Sequence, residues 1–119
     1  MDGIWNLITA AFASWYDAKM IVERAGTVSS DALHVIAGVA IQLLFAILFR
    51  KPLSSWSPWL VVLAGLLFNE TVDIWVERWP SRAMQLAESG KDVVLTMLLP
   101  TALMLSSRWS PALRPARKR

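Results

Sequence analysis

Val35-Ile-Ala-Gly-Val-Ala-Ile-Gln-Leu-Leu-Phe-Ala-Ile-Leu-Phe49 offers Gln42 as its one polar side chain. A helix on the surface of a soluble domain is apolar along one stripe and polar on the other, whereas this run is apolar all round. With its flank it extends from Ala32 to Phe49, interrupted only by His34 and Gln42. A membrane-spanning helix takes about 20 predominantly apolar residues, and the run has that length.

Two further runs follow. Trp59 to Val76 contains the unbroken stretch Leu60 to Phe68 and then Asn69, Glu70, Thr71 and Asp73. Val93 to Leu105 is softened by Thr96, Pro100 and Thr101, and reaches span length if Ser106 to Trp109 sit at the interface. The ends of the runs are punctuated. Arg50 and Lys51 close the first and Pro52 stops it, because proline lacks the N–H that a helix needs. Trp56, Trp59, Trp75, Trp79 and Trp109 fall at run ends, where an indole places its apolar ring in lipid and its N–H in water. The connection 51–58 is short, so the first two helices form a hairpin. Residues 3–25 differ: Ile4, Trp5, Leu7, Ile8, Ala11, Phe12, Trp15, Met20 and Ile21 recur at mostly helical spacing, with Asn6, Thr9, Asp17, Lys19 and Glu23 off that stripe. This pattern predicts an amphipathic helix lying in the membrane interface. The expected fold is a single all-α membrane domain. It has an interfacial helix over 3–25, transmembrane helices over 31–50, 57–77 and 91–109, and a basic tail over 110–119.

Composition agrees. The chain has 119 residues and no cysteine, with 55% hydrophobic and 18% charged residues. Soluble domains carry about 25% charged residues, so the chain is too apolar and charge-poor for a soluble three-helix bundle to be the expected fold, and a disordered chain is excluded. Absence of cysteine excludes a disulfide scaffold and a thiolate metal site. The net charge of +3 is the remainder of a polarised distribution. With three spans, one side holds Lys19, Arg24, Arg78, Arg82 and Lys91 together with all the acids. The other holds Arg50, Lys51, Arg108, Arg114, Arg117, Lys118 and Arg119. The positive-inside rule puts that second side, and the C-terminus, in the cytoplasm. The tail adds attraction to anionic lipid. No basic groove studded with aromatics is present, so nucleic acid is not an expected partner.

Ionisable groups at membrane depth are costly, and each is a candidate site. His34 lies one turn into the first span, Glu70 and Asp73 near the end of the second, and Asp92 at the start of the third. By the topology above all four meet at one membrane face, the periplasmic one. Glu70, Asp73 and Glu77 follow i, i+3, i+7 spacing and are expected on one helical face, with Asn69 one turn before Asp73. Three readings stay open. The cluster is a hydrogen-bond lock between helices. It is a divalent-cation site, with His34, Glu70 and Asp73 as the first ligand candidates and Asp92 beside them. Or it binds a lipid head group, or does acid–base chemistry on one, with His34, Glu70, Asp73 and Asp92 as catalytic candidates and Asn69, Glu77, Arg78 and Lys91 as lipid- or ion-binding groups. Nothing supports a nucleophilic triad or a glycine-rich phosphate loop.

The order Asp31-x-x-His34, then Glu70-x-x-Asp73, then Asp92 resembles the VanZ-like small membrane proteins over residues 31 to about 105. That pattern has Gln where this chain has Asp73, and an Asn-x-x-Gly where Thr96 and Pro100 stand. The resemblance implies an all-helical integral membrane protein of a bacterial inner membrane, linked to envelope lipids. The chain is also similar, more distantly, to the prokaryotic diacylglycerol kinases, through Asn69-x-x-x-Asp73, Glu77-Arg78 and Lys91-Asp92. That similarity would make Asp73 the catalytic carboxylate, Asn69 and Glu77 metal or substrate groups, and Lys91 a phosphate contact, although Leu66 replaces that family's metal-binding Glu. Its site would also have to face the cytoplasm, opposite to the expected topology. Three short spans bury little surface alone, so a homo-oligomer or membership of a larger membrane complex is expected.

Overall fold

The computed structural model describes residues 1–26 and 28–110. Four helices follow in order, α1 (Asp2–Ala25), α2 (Ser30–Leu48), α3 (Trp56–Val76) and α4 (Arg82–Trp109), and no strand occurs among the described residues. The Ser29 hydroxyl caps α2 by accepting from the Ala32 N–H at 3.2 Å. At the other end of α2 the Arg50 N–H donates to the Ile47 carbonyl and the Lys51 N–H to that of Ala46, at 3.3 and 2.9 Å. This double bond pattern is the one that usually places a glycine in the left-handed conformation, and Arg50 takes that place with φ 51°. Pro52 then prevents continuation.

The start of α4 departs from expectation. Its helix begins at Arg82, well before residue 91, because the Ser81 hydroxyl caps it by accepting from the Met84 N–H at 3.2 Å. The residues that follow, Ala83 to Glu88, are mostly good helix formers. Pro100 does not end the helix. It does deprive the Thr96 carbonyl of its usual donor. At that point α2 comes closest: a Cβ on Gly38 would overlap the Thr96 carbonyl oxygen. Glycine is therefore required there by space, and its Cα hydrogens can face the freed carbonyl. One turn further along α2, the Gln42 amide donates to the Pro100 carbonyl at 2.9 Å.

These contacts fix the topology. His34 meets Thr96 and Gln42 meets Pro100, so α2 and α4 run parallel. Trp59 meets Thr101 and Glu70 meets Ser89, so α3 runs antiparallel to α4. Trp59 thus turns inward, contrary to its expected place at the boundary, because the Thr101 hydroxyl accepts from its indole at 2.9 Å. Val62, Leu66 and Met97 form the core, with Trp59, Leu63 and Val93 packed on it. The helix α1 buries no residue and packs on α3 through Phe12 and Trp15, which meet Phe68 edge-on at 5.8 and 5.9 Å between ring centres.

Burial is inverted relative to a soluble bundle. Gln42, Glu70, Gln85, Asp92, Thr96 and Ser107 are buried, while Ile47 is 73% exposed and Leu98 61%. Two helices among the described residues, α2 and α3, are long and apolar enough to cross a membrane. The apolar part of α4 is shorter, because its first turns carry Arg82, Glu88, Lys91 and Asp92. Of the basic tail only Ser110 is described; Arg114, Arg117, Lys118 and Arg119 lie outside the described residues.

Candidate functional site

The first turns of α2, the last turns of α3 and the first half of α4 meet at one end of the bundle, and α1 crosses there. His34 sits between two residues one turn apart on α4. Its Nδ1 lies 3.1 Å from the Thr96 hydroxyl and its Nε2 lies 3.4 Å from Asp92 Oδ2. The close Gly38–Thr96 approach sets this register, since any larger residue would push α2 away from α4. Glu70 enters from α3 and is 6% exposed. Its carboxylate accepts from the Ser89 hydroxyl and, at 3.4 Å, from the Asn69 amide. One donor atom each from His34, Glu70 and Asp92 fall within 4.8 Å of one another.

Asp73 departs from its expected place in the ligand set. It faces α1 and is ion-paired to Lys19. Residues three apart on a helix differ in direction by about 60°. That is enough here for Glu70 to look towards α4 while Asp73 looks towards α1; Glu77 also meets α1, but from just past the end of α3, in extended conformation. The shared face expected from the i, i+3, i+7 spacing is divided in this way between two partner helices. Asn69 belongs to both: its amide reaches Asp73 Oδ2 at 3.3 Å, and its carbonyl oxygen accepts from the Trp15 indole at 3.2 Å and from Lys19 at 3.4 Å. Glu77 accepts from the Tyr16 hydroxyl at 3.3 Å and from the Trp79 indole at 2.8 Å. Burial, and then the Glu77 carboxylate, hold the Tyr16 phenol above its ordinary pKa, so it remains a donor.

Lys91 is at the rim. It pairs with Asp31 at 3.0 Å and with Glu88 at 2.7 Å, half-exposed. Arg78 lies apart, on an outer surface shared with Arg82, Thr71 and Trp75. The space left between the helices is a cavity of about 90 Å³, bordered by six carboxylates (Glu23, Glu70, Asp73, Glu77, Glu88 and Asp92) against Lys19 and His34. A second, apolar groove of about 430 Å³ runs between α1, α2 and α3, over Ala37, Gly38, Ile41, Val62, Gly65 and Leu66. Lys19, Glu23 and His34 border both.

Sequence reading singles out His34, Glu70, Asp73 and Asp92 but misses the neighbours that hold them. Lys19, Trp15 and Tyr16 come from a helix read as an independent interfacial element. Ser89 precedes the expected start of its span. Thr96 offered a usable signal, since it stands one turn after Asp92 and so shares its face. Comparison with family models, with curated proteins and with solved structures returns no match.

Proposed function

We propose that this chain is a three-span bacterial inner-membrane protein that binds a lipid at one membrane face, head group in the polar cavity and acyl chain in the adjoining groove. The observation that carries this reading is the adjacency of the two spaces, which share Lys19, Glu23 and His34 as lining residues. One end is charged, the other is apolar, and together they match the two ends of an amphiphile. The inverted burial supports a lipid surround, because polar groups gain nothing by facing hydrocarbon and are driven inward to each other. A third span is supported by the path of α4. Asp92 lies beside His34 at the start of α2, and Arg108 donates to the Ser54 carbonyl just before α3. Residues 92–108 therefore traverse the same height as α2. The C-terminus is assigned to the cytoplasm by the charge distribution, which puts the cavity on the periplasmic side. α1 lies across the cavity with Ile4, Trp5 and Leu7 exposed to enter the lipid interface.

The acid-rich lining favours a head group that carries an amine or hydroxyls, or one accompanied by a cation, over a bare phosphate. A diacylglycerol kinase-like activity gains less support, because Asp73, the carboxylate it needs, is paired to Lys19 and Leu66 is buried in the core.

Gly65 supplies the test, since a Cβ there meets nothing within 4 Å. Gly65→Leu fills the groove without moving the backbone. Native mass spectrometry of the chain released gently from membranes is expected to show one retained phospholipid in the wild type and loss of it in Gly65→Leu, at unchanged thermal stability. A wild type that retains no lipid, or a variant that retains as much, ends this reading.

A further inference from the structure

We infer that His34, Glu70 and Asp92 form a binding site for one divalent transition-metal ion, of the Zn²⁺ or Mn²⁺ class, with Thr96 and Ser89 orienting the ligands. Four features of the geometry converge on it.

The first is distance. The His34 Nε2 to Asp92 Oδ2 separation is 3.4 Å. A charge-assisted hydrogen bond would close to about 2.7–2.9 Å. Two ligands of a tetrahedral ion, each about 2.1 Å from it, stand about 3.4 Å apart. The pair is thus spaced as co-ligands and is loose as a salt bridge. The second is the third arm: a Glu70 oxygen lies within 4.8 Å of a ligand atom of His34 and of one of Asp92, so α2, α3 and α4 each bring one group to the same place.

The third is the surrounding shell. Metal-binding imidazoles pass their other ring nitrogen to an acceptor, which fixes the tautomer and aims the lone pair. Here Nδ1 faces the Thr96 hydroxyl at 3.1 Å, leaving Nε2 towards the carboxylates. Ser89 does the same for Glu70, holding one oxygen. Thr96 itself is held in place by the Gly38 contact. The fourth is charge. Two buried carboxylates meet a single imidazole here, so acid outnumbers base at the site; a divalent ion supplies the missing positive charge, and buried charge without a counter-charge is expensive. The nearby cations are engaged elsewhere: Lys19 with Asp73, and Lys91 with Asp31 and Glu88. The partners of Glu70, Ser89 and Asn69, are neutral. Three protein ligands leave further coordination positions open towards the cavity, where a phosphate or hydroxyl of the lipid in the proposed function could bind.

The experiment uses the full-length chain in detergent micelles, stripped with chelator and titrated with Zn²⁺ or Mn²⁺ alone, with no lipid added. Bound metal is counted by equilibrium dialysis, and Mn²⁺ is also followed by its electron paramagnetic resonance signal. The expected result is one ion per chain and a rise in thermal midpoint on binding. Glu70→Gln and Asp92→Asn keep the shape of each side chain and are expected to weaken binding at least about tenfold. Thr96→Val should weaken it by about 10–100-fold through the imidazole. Asp73→Asn should leave it within about twofold. Absence of stoichiometric binding by a wild type that melts cooperatively overturns the site. So does an equal loss in Asp73→Asn and Asp92→Asn, which would mean diffuse attraction to the acidic cavity. Lipid retention is scored separately on the Gly65→Leu variant, so failure of the ion site and failure of the lipid reading give different results.

Discussion

Where α2 ends and α3 begins, Arg108 donates to the Ser54 carbonyl at 2.9 Å and lies 4.8 Å from the centre of the Trp56 ring, which itself meets Trp59 edge-on. At the opposite end, six carboxylates border one cavity and find Lys19, Lys91, His34, hydroxyls, an amide and the Trp79 indole as partners. Both ends bring charge to the boundary of an apolar bundle. The first meets Arg108 with a backbone oxygen and an aromatic face, and no acid stands in the sequence between Lys51 and Asn69 or after Asp92. The second gathers more negative charge than it neutralises and keeps a space beside it. A bundle that needed only a lock between its helices would resemble the first end. The surplus of acid at the second, with Glu70 and Asp92 buried, is the physical reason for proposing a ligand there.

The contrast is broken most severely at Gly38, which sets the register of the acidic end. Gly38→Ala forces a methyl group into the Thr96 carbonyl, and overpacking of this kind costs about 1–3 kcal/mol. Denaturant or thermal unfolding in micelles should show that loss. Gly65→Ala, which meets open space, should be neutral or gain up to about 1 kcal/mol from helix propensity. Equal effects at the two glycines would mean that the close approach of α2 and α4 does not organise the site.

Next in size is the tie between α1 and the acidic end. Lys19 and Asp73 are only 19% and 13% exposed. Removing one partner of such a pair leaves the other unmatched, and for partly buried groups we expect about 1–2 kcal/mol. Lys19→Ala should therefore speed hydrogen exchange in α1 and loosen it from α3. Adding Asp73→Asn should restore part of the protection. Unchanged exchange in Lys19→Ala would show that Phe12 and Trp15 alone dock the helix.

The aromatic end should respond more mildly. Arg108→Ala removes the hydrogen bond to Ser54, a weak one to Met104 Sδ and the cation–π contact with Trp56, together worth about 1 kcal/mol or somewhat more at a part-buried site. It should leave metal binding at the far end unchanged, and a parallel fall in both would deny that the ends are independent. The smallest effect is a gain. Arg50 holds a left-handed conformation that favours glycine by about 1–2 kcal/mol, of which the greater freedom of unfolded glycine takes back a part. Arg50→Gly should stabilise the chain by about 0.5 kcal/mol in a chemical melt.

Helix order was legible because α2 and α3 are built from runs that no other periodicity fits, and their bounds agree with expectation to within two residues. The start of α4 was not legible. The extension Arg82 to Gly90 holds only Ala83, Met84, Leu86 and Ala87 as apolar residues, too short a pattern to join to the span, and its cap, Ser81, resembles any loop serine. Among site residues, His34, Glu70 and Asp92 could be named because an ionisable group inside an apolar run is anomalous by itself. Their grouping could not. Spacing along α3 placed Asp73 with Glu70, whereas α1 draws Asp73 away.

By itself the sequence determined the helical class, the two candidate spans and the end of the bundle where the acids gather. Those follow from hydropathy and charge, which are properties of each residue. Which carboxylate faces His34, which lysine is committed to an ion pair, and whether a groove adjoins the cavity were decided only by the tertiary structure. Each depends on how helices distant in sequence pack: the close approach of α2 to α4 at Gly38 and Pro100 brings His34 to Asp92, and the docking of α1 on α3 brings Lys19 to Asp73.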